Sequence, residues 1–291
     1  MPSETEKVVR GYVHGYQQQE ATRLDDQAAA LLDLLHDGTT YPAGSLVLEV
    51  GCGVGSQTVT LARRSPTARF IAIDIASDSL ATAQHRADVA GAQNVEFRHA
   101  DVYSLAEQTA TFDHIFVCFV LEHLDNPAEA LQLMRGLLRP GGTITVIEGD
   151  HGSAFFAPDS VAARAAIDCL VELQRRAGGD AMIGRRLYPL LTSAGYASVL
   201  VRPLFVYADQ GRRDLVDAFT IRTFTAMIEG VRDAAVAAGL LSTDAFAAGI
   251  ADLYRTAAAD GVFCYTFFKA VGRACADNAS ADRERTTAVT G

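Results

Sequence analysis

Three features of this 291-residue chain predict an α/β fold, a mostly parallel sheet with helices on both faces. Between Leu46 and Gly149, short apolar runs alternate with helix-like stretches, the pattern of strand–helix–strand crossovers. The first run, in "LEVGCGVG", breaks into three alternating glycines where a helix begins. The next two runs end in aspartates, in "IAID" and "RHAD". Right-handed crossovers leave few topologies for such a chain.

The elements follow in order. The first strand covers 46–51 and leads to a helix near 55–65. The second strand, 69–76, precedes a helix over 77–91, with Ser77 as its N-cap and Gly91 as its C-cap. A third strand spans 94–101 and a fourth 112–120. The helix over 126–138 starts on Asn126, and a fifth strand occupies 142–149. Two helical regions flank this core, Val8 to Leu35 and Asp159 to Leu191. "SVLVRPLFVYA" (198–208) is a sixth strand, 211–260 a mostly helical insert, and "FCYTFFKAVG" (263–272) a last strand. This gives four parts: a helical segment at 1–40, a core at 41–152, lid insertions with the last strands at 153–273, and a disordered tail at 274–291.

Composition narrows the function classes. Hydrophobic residues make up 49% of the chain, enough for a sizeable core. The longest apolar run, Ile115 to Leu121, is far short of the roughly 18 residues of a membrane span. "MPSETEKVVR" has no apolar stretch of the kind secretory leaders carry. A net charge of -10 argues against a nucleic-acid partner, which calls for basic faces. The five cysteines contain no CxxC pair and the histidines no HExxH, so neither a disulfide framework nor a metal site is expected. Together these point to a reduced, cytoplasmic protein.

The glycine loop carries the chemistry. Gly51, Gly53 and Gly55 stand where strand turns to helix, and bare backbone there admits a ligand to the free N–H groups and positive end of the helix. Asp74 ends the second strand about 20 residues on, where a carboxylate accepts both hydroxyls of a ribose, or else caps the next turn. Asp101 ends the third strand, placed for an adenine amine with Val102 beside it, or as a plain N-cap. A dinucleotide needs GxGxxG, and Ser56 stands where the third glycine belongs. Glu49, just before the loop, repels a pyrophosphate but suits a ligand with an ammonium and a sulfonium. The loop therefore reads as a site for S-adenosylmethionine (SAM), which becomes S-adenosylhomocysteine when its methyl leaves.

"LEVGCGVG", "IAIDIA", "HADV", "FDHIFVCFVLEHLDNP" and "LLRPGGTITVIEGDHGS" resemble the successive motifs of class I SAM-dependent methyltransferases. "YVHGYQQQEATRLDDQA", "GRRLYPLL" and "FCYTFFKAVG" extend the resemblance to a bacterial and archaeal small-molecule subgroup, covering roughly residues 8 to 273. The resemblance implies a Rossmann-like seven-stranded sheet, last strand antiparallel, with helical additions forming a lid. It implies that Gly51, Gly53 and Gly55 approach the methionine part, Asp74 the ribose, and Asp101 with Val102 the adenine. Cys118 and Phe119 would lie beside the cofactor, with His123 just beyond. The N-terminal segment would close over it, Tyr16 at the methionine end and Arg23 on its carboxylate. Otherwise that segment is a surface helix with a solvated ion pair.

These readings give a methyltransferase acting on a small-molecule acceptor, a specialised metabolite, by in-line displacement. His151, after the fifth strand, is the candidate base, since an unperturbed imidazole suits proton removal near neutral pH. A loop histidine holding a hydrogen bond is the bland alternative. Glu148 and Asp150 are the runners-up; Glu122 and His123 follow the fourth strand, where one of them serves only to fix that loop. C-methylation of a prenyl, alkene or aromatic carbon, a noncatalytic SAM-binding module, and a homo-oligomer stay open.

Overall fold

The computed structural model describes residues 31–105 and 109–275. Its strands are β1 (Leu46–Val50), β2 (Arg69–Asp74), β3 (Val95–His99), β4 (Phe112–Cys118), β5 (Leu138–Ala157), β6 (Tyr196–Ala208) and β7 (Val262–Ala274). They form one seven-stranded sheet in the order β3-β2-β1-β4-β5-β7-β6. The pairs from β3 to β5 are parallel, and β7 runs antiparallel to both its neighbours. Chain order reverses at β1, which lies between β2 and β4, and this opens a crevice at the carboxyl ends of the strands. Register lines those ends up: Val50 sits opposite Ile73 and Val117, and Cys118 opposite Ile147.

The first-half helices are α1 (Ser56–Arg64), α2 (Ser77–Ala90) and α3 (Pro127–Leu137); α4 (Val161–Arg176) and α5 (Leu187–Ser193) follow β5. Between β6 and β7 lie a π-helical segment, Val216–Thr225, then α6 (Ala226–Gly230), α7 (Arg232–Ala237) and α8 (Thr243–Arg255). Both sheet faces are covered. Leu31, Leu35, Val47, Leu61, Phe70 and Phe116 pack on one side, and Leu48, Val50, Ile71, Ile115, Leu131 and Val146 on the other. Burial on both faces explains why the strands read as continuous apolar runs rather than alternating ones.

Asn126 and Gly91 cap as expected: the Asn126 side chain accepts from Glu129 N, and Gly91 adopts φ 68°. Ser77 does not cap. Ala76 holds that position, and its N–H is taken by Asp74 instead. The helical region expected over Asp159–Leu191 divides after Arg176, where the Gly178–Gly179 pair lets the end of α4 dock beneath the β4 loop. A Cβ on Gly179 would overlap the Glu122 carbonyl, and Asp180 N donates to that carbonyl at 2.9 Å. The fifth strand does not stop at Gly149. It runs to Ala157 through an irregularity between Asp150 and Phe155, because β7 continues to pair with it. His151 thus lies within β5, not in a loop after it. Residues 31–35 are helical, while most of the predicted Val8–Leu35 helix and residues 276–291 of the predicted tail lie outside the described residues. Ala274, placed in the tail by sequence, ends β7. Among the described residues, no helix is long and apolar enough to cross a membrane.

Candidate SAM site

The three loop glycines all take left-handed φ, 70°, 52° and 81°, for different reasons. A Cβ on Gly51 would overlap Val120 on the neighbouring β4 loop. One on Gly55 would sit 2.9 Å from Ala83 Cα, so that glycine lets α1 start against α2. A Cβ on Gly53 would meet nothing within 4 Å, so this is the backbone left bare to open space. Asp74 fixes the loop: Oδ2 accepts Gly53 N at 2.7 Å and Oδ1 accepts Ala76 N at 2.8 Å. A carboxylate offers about four lone-pair directions, so each oxygen keeps capacity for a ribose hydroxyl. Both expected roles of Asp74, turn cap and hydroxyl acceptor, are compatible in one group.

Asp101 and Val102 stand at the same edge, because Ala100 N donates to Asp74 O at 3.1 Å. Asp101 Oδ1 accepts Tyr103 N at 3.0 Å, capping the turn, and Val102 is buried. Ile75, which the sequence reading passed over, is 58% exposed directly after Asp74. An apolar side chain left in the open directly after a strand-end aspartate is of the kind that can stack on a flat base. Its signal was an isoleucine in a position where a turn residue would be ordinary.

Glu49 is buried below the loop, and its Oε2 has no hydrogen-bond partner. Burial first, and then the Asp74 charge, push its carboxyl up to about 7, the nearby Thr58 hydroxyl only partly offsetting them. An orphaned carboxylate oxygen beneath a bare glycine fits a cationic ligand, and the residues present therefore suit SAM. Cys118 is buried at the end of β4, its thiol held far above the usual range by burial. Phe119 follows in the left-handed region, φ 58°, with its ring 5.5 Å from that of Phe267. For a non-glycine residue that conformation costs about 1–2 kcal/mol and is held only by over-determined surroundings.

Glu148 supplies part of that hold. Its Oε1 accepts Val120 N at 3.0 Å and Leu121 N at 2.8 Å. It is fully buried, and burial, then the neighbouring Glu122, raise its carboxyl well above the usual range. Its bonds run to the β4 loop rather than outward. Asp150, the other runner-up, is committed to a bidentate pair with Arg185 at 2.6 and 2.7 Å.

His151 is buried, with Nδ1 2.9 Å from Tyr265 Oη and Nε2 3.9 Å from Glu122 Oε2. Glu122 Oε1 lies 3.6 Å from His123 Nε2, and Gln174 donates to its other oxygen at 3.0 Å. His123 and His151 thus flank one carboxylate. Tyr265 lies in the last strand, "FCYTFFKAVG". Gly149 makes room for its hydroxyl, since a Cβ there would overlap Oη. Tyr265 and Lys269 also have the Tyr-x-x-x-Lys spacing used on helices in some oxidoreductases. Here the pair lies on a strand, where four residues span about 13 Å. Lys269 Nζ instead donates to Leu35 O at 3.1 Å and Asp37 O at 2.7 Å. Tyr16 and Arg23 lie outside the described residues, and among those described no acidic, histidine or cysteine cluster could hold a metal.

A family model described as a methyltransferase domain matches residues 47–142. An uncharacterized 37.1 kDa protein in transposon TN4556 of Streptomyces fradiae is 32% identical over 70% of this chain and 59% of its own length. A ubiquinone biosynthesis O-methyltransferase of Paracidovorax citrulli is 38% identical over 37% of this chain and 45% of its own. The chain thus spans less than two thirds of these curated relatives. Among solved structures, the YcgJ protein of Bacillus subtilis superposes with a TM-score of 0.56 at 14% identity, over 85% of this chain and 99% of that one, a likeness of fold alone. The matched methyltransferase domain is thus seated on this sheet order and glycine loop, which supports a class I SAM-dependent methyltransferase.

Proposed function

We propose that the protein transfers the methyl group of SAM to a small-molecule acceptor, a specialised metabolite, by in-line displacement. The observation that carries this is the joining of two halves of one site: Gly51 packs on Val120, and Val120 is held by Glu148 beside the Glu122–His151 pair. A cofactor cradle and an acid–base cluster are therefore contiguous. SAM supplies an electrophilic methyl on a sulfonium. The chain's task is to hold the acceptor in line, and such positioning is worth about 7–11 kcal/mol. In this reading Asp74 holds the ribose, Asp101, Val102 and Ile75 the adenine, and Glu49 lies below the cationic end. Phe119 and Phe267 form an apolar wall, and His151 receives the proton that the acceptor loses.

C-methylation is the second reading. Phe224 and Tyr265 lie against His151 with ring centroids 6.1 and 5.8 Å away, and Phe219 packs edge to face on Tyr265 at 5.6 Å. Such ring faces stabilise a cation left on carbon.

The test incubates the protein with SAM carrying a carbon-13 methyl and a small-molecule extract of the source cells, followed by NMR and mass spectrometry. A labelled product supports the reading, and its chemical shift tells oxygen, nitrogen and carbon apart. Binding of SAM with no product from any extract or acceptor panel would overturn it in favour of a noncatalytic module.

A further inference from the structure

The last three strands of the sheet, β5, β7 and β6, outrun their cover on one face. Low on that face, Leu187, Leu190 and Leu191 of α5 join Val146 and Ala270 in one buried cluster. Higher up, the turn Ile183–Arg186 takes over: a Cβ on Gly184 would sit 2.9 Å from the ring of Phe268, and Arg185 reaches Asp150. The cover ends there. The Asp150 row continues through Thr266 to Phe205, and the next row is Phe155, Cys264 and Tyr207. Phe205, Phe155 and Tyr207 are 49%, 50% and 42% exposed, and the rings of Phe155 and Phe205 stack at 5.9 Å. On the opposite face of the same strands Phe156, Leu204, Val206 and Phe263 are all buried.

Arg185 stands at the rim of this aromatic face and is built into it. Nε and Nη2 donate to Asp150 at 2.6 and 2.7 Å, and a Cβ on Gly152 would overlap the guanidinium. The Asp150 side chain is 3% exposed and that of Arg185 48%, so the carboxylate lies behind and the cation faces out. Two of five N–H donors are used on Asp150, which leaves three for a ligand. Arg186 on the same turn is exposed, as is Arg212, whose Nη1 donates to Tyr207 O at 3.3 Å. A chain with net charge -10 thus turns aromatic rings and guanidinium groups outward together, the residue types that dominate binding at protein interfaces. β6 is the edge strand, but Pro203 and a register shift between Ala197 and Leu200 blunt it against pairing with a further strand. The face, not the edge, is what stays open. Three strands span about 10 Å, the width of one helix.

We propose that this face docks an acidic amphipathic helix of another protein, its apolar side on Phe155, Phe205 and Tyr207 and a carboxylate on Arg185. The partner helix continues upward the layer that α5 begins with Leu187, Leu190 and Leu191. The inference does not depend on the methyl-transfer reading.

The probe is a synthetic helix with leucines at i, i+3, i+4 and i+7, flanking glutamates and one tryptophan, whose fluorescence is free of background because the chain has none. A twin peptide carries lysine for glutamate. Both are titrated into full-length wild type, Phe155→Ser, Phe205→Ser and Arg186→Glu, with thermal melts and SAM calorimetry alongside. The acidic peptide should bind at least about tenfold tighter than its twin, and either serine should weaken it at least about tenfold while SAM binding holds. Arg186→Glu, an exposed change that leaves the fold intact, should weaken it about threefold. No binding, equal binding of the two peptides, or indifference to all three substitutions would overturn the proposal. Sedimentation velocity and flotation with phosphatidylcholine–phosphatidylglycerol vesicles test the other occupants. A dimer dispersed by Phe205→Ser would give the face to a second copy, and vesicle binding abolished by it would give the face to lipid; either result overturns the helix partner.

Discussion

Raising the pH from about 4.5 to about 7 removes a stabilising contribution of the buried carboxyl of Glu49. Its carboxyl is buried under the glycine loop with one oxygen unpartnered, and its pKa rises from 4.5 to about 7 on folding. The unfolded chain ionises this group near its ordinary value, whereas the folded chain prefers it protonated. Its contribution is therefore fully present below the ordinary value, shrinks as pH rises, and is lost above about 7. A shift of two to three units at about 1.4 kcal/mol each is worth about 3 kcal/mol. Glutamine imitates the protonated acid and does not titrate. The assay is denaturant unfolding of wild type and Glu49→Gln at a series of pH values, taking the difference so that shared groups cancel. Wild type should lose about 3 kcal/mol relative to the variant between about pH 4.5 and pH 9. A difference that stays flat with pH would refute the buried, unpartnered placement of Glu49. A cationic ligand above this group favours its ionised form, so SAM affinity should also rise with pH in wild type and not in Glu49→Gln.

The glycines separate packing from ligand approach. Gly51→Ala meets both a left-handed φ and Val120, and should lower stability by at least about 2 kcal/mol in a thermal or denaturant melt. Gly53→Ala meets only the backbone cost, about 1 kcal/mol, yet should weaken SAM at least about tenfold by calorimetry because its Cβ enters the open space. Equal stability losses at the two positions would contradict the packing described. Lys269→Met removes donors from Leu35 O, Asp37 O and Thr39 Oγ1, and should cost about 2–4 kcal/mol by denaturant unfolding. A loss under about 0.5 kcal/mol would show that those carbonyls find other partners.

The sheet was legible because its signals are local. Apolar runs ending in glycine or aspartate mark the strands, and Asn126 and Gly91 mark helix ends through their own side chain or φ. What the sequence hid depends on distant partners. "GDHGSAFF" has the glycines and polar residues of a loop, and only pairing with β7 keeps it in the sheet to Ala157. The break after α4 was signalled by Gly178–Gly179, but its reason, the close approach to Glu122, was not. Among site residues, the loop glycines and Asp74 follow one another through a single crossover and are bonded as Gly53–Asp74. Glu148 and Asp150 carry the right chemistry for a base, yet their bonds to the β4 loop and to Arg185 come from elements that periodicity cannot bring together. Tyr265 escaped for the same reason, lying 114 residues from its histidine.

The account stands or falls on SAM occupying the Gly53–Asp74 cradle. The direct measurement is calorimetric titration of the protein with SAM, repeated with Asp74→Asn. One site per chain is expected, weakened at least tenfold by the substitution, since about 1.4 kcal/mol is the least that a lost charge-assisted bond contributes. No binding, or equal binding to Asp74→Asn, would contradict it.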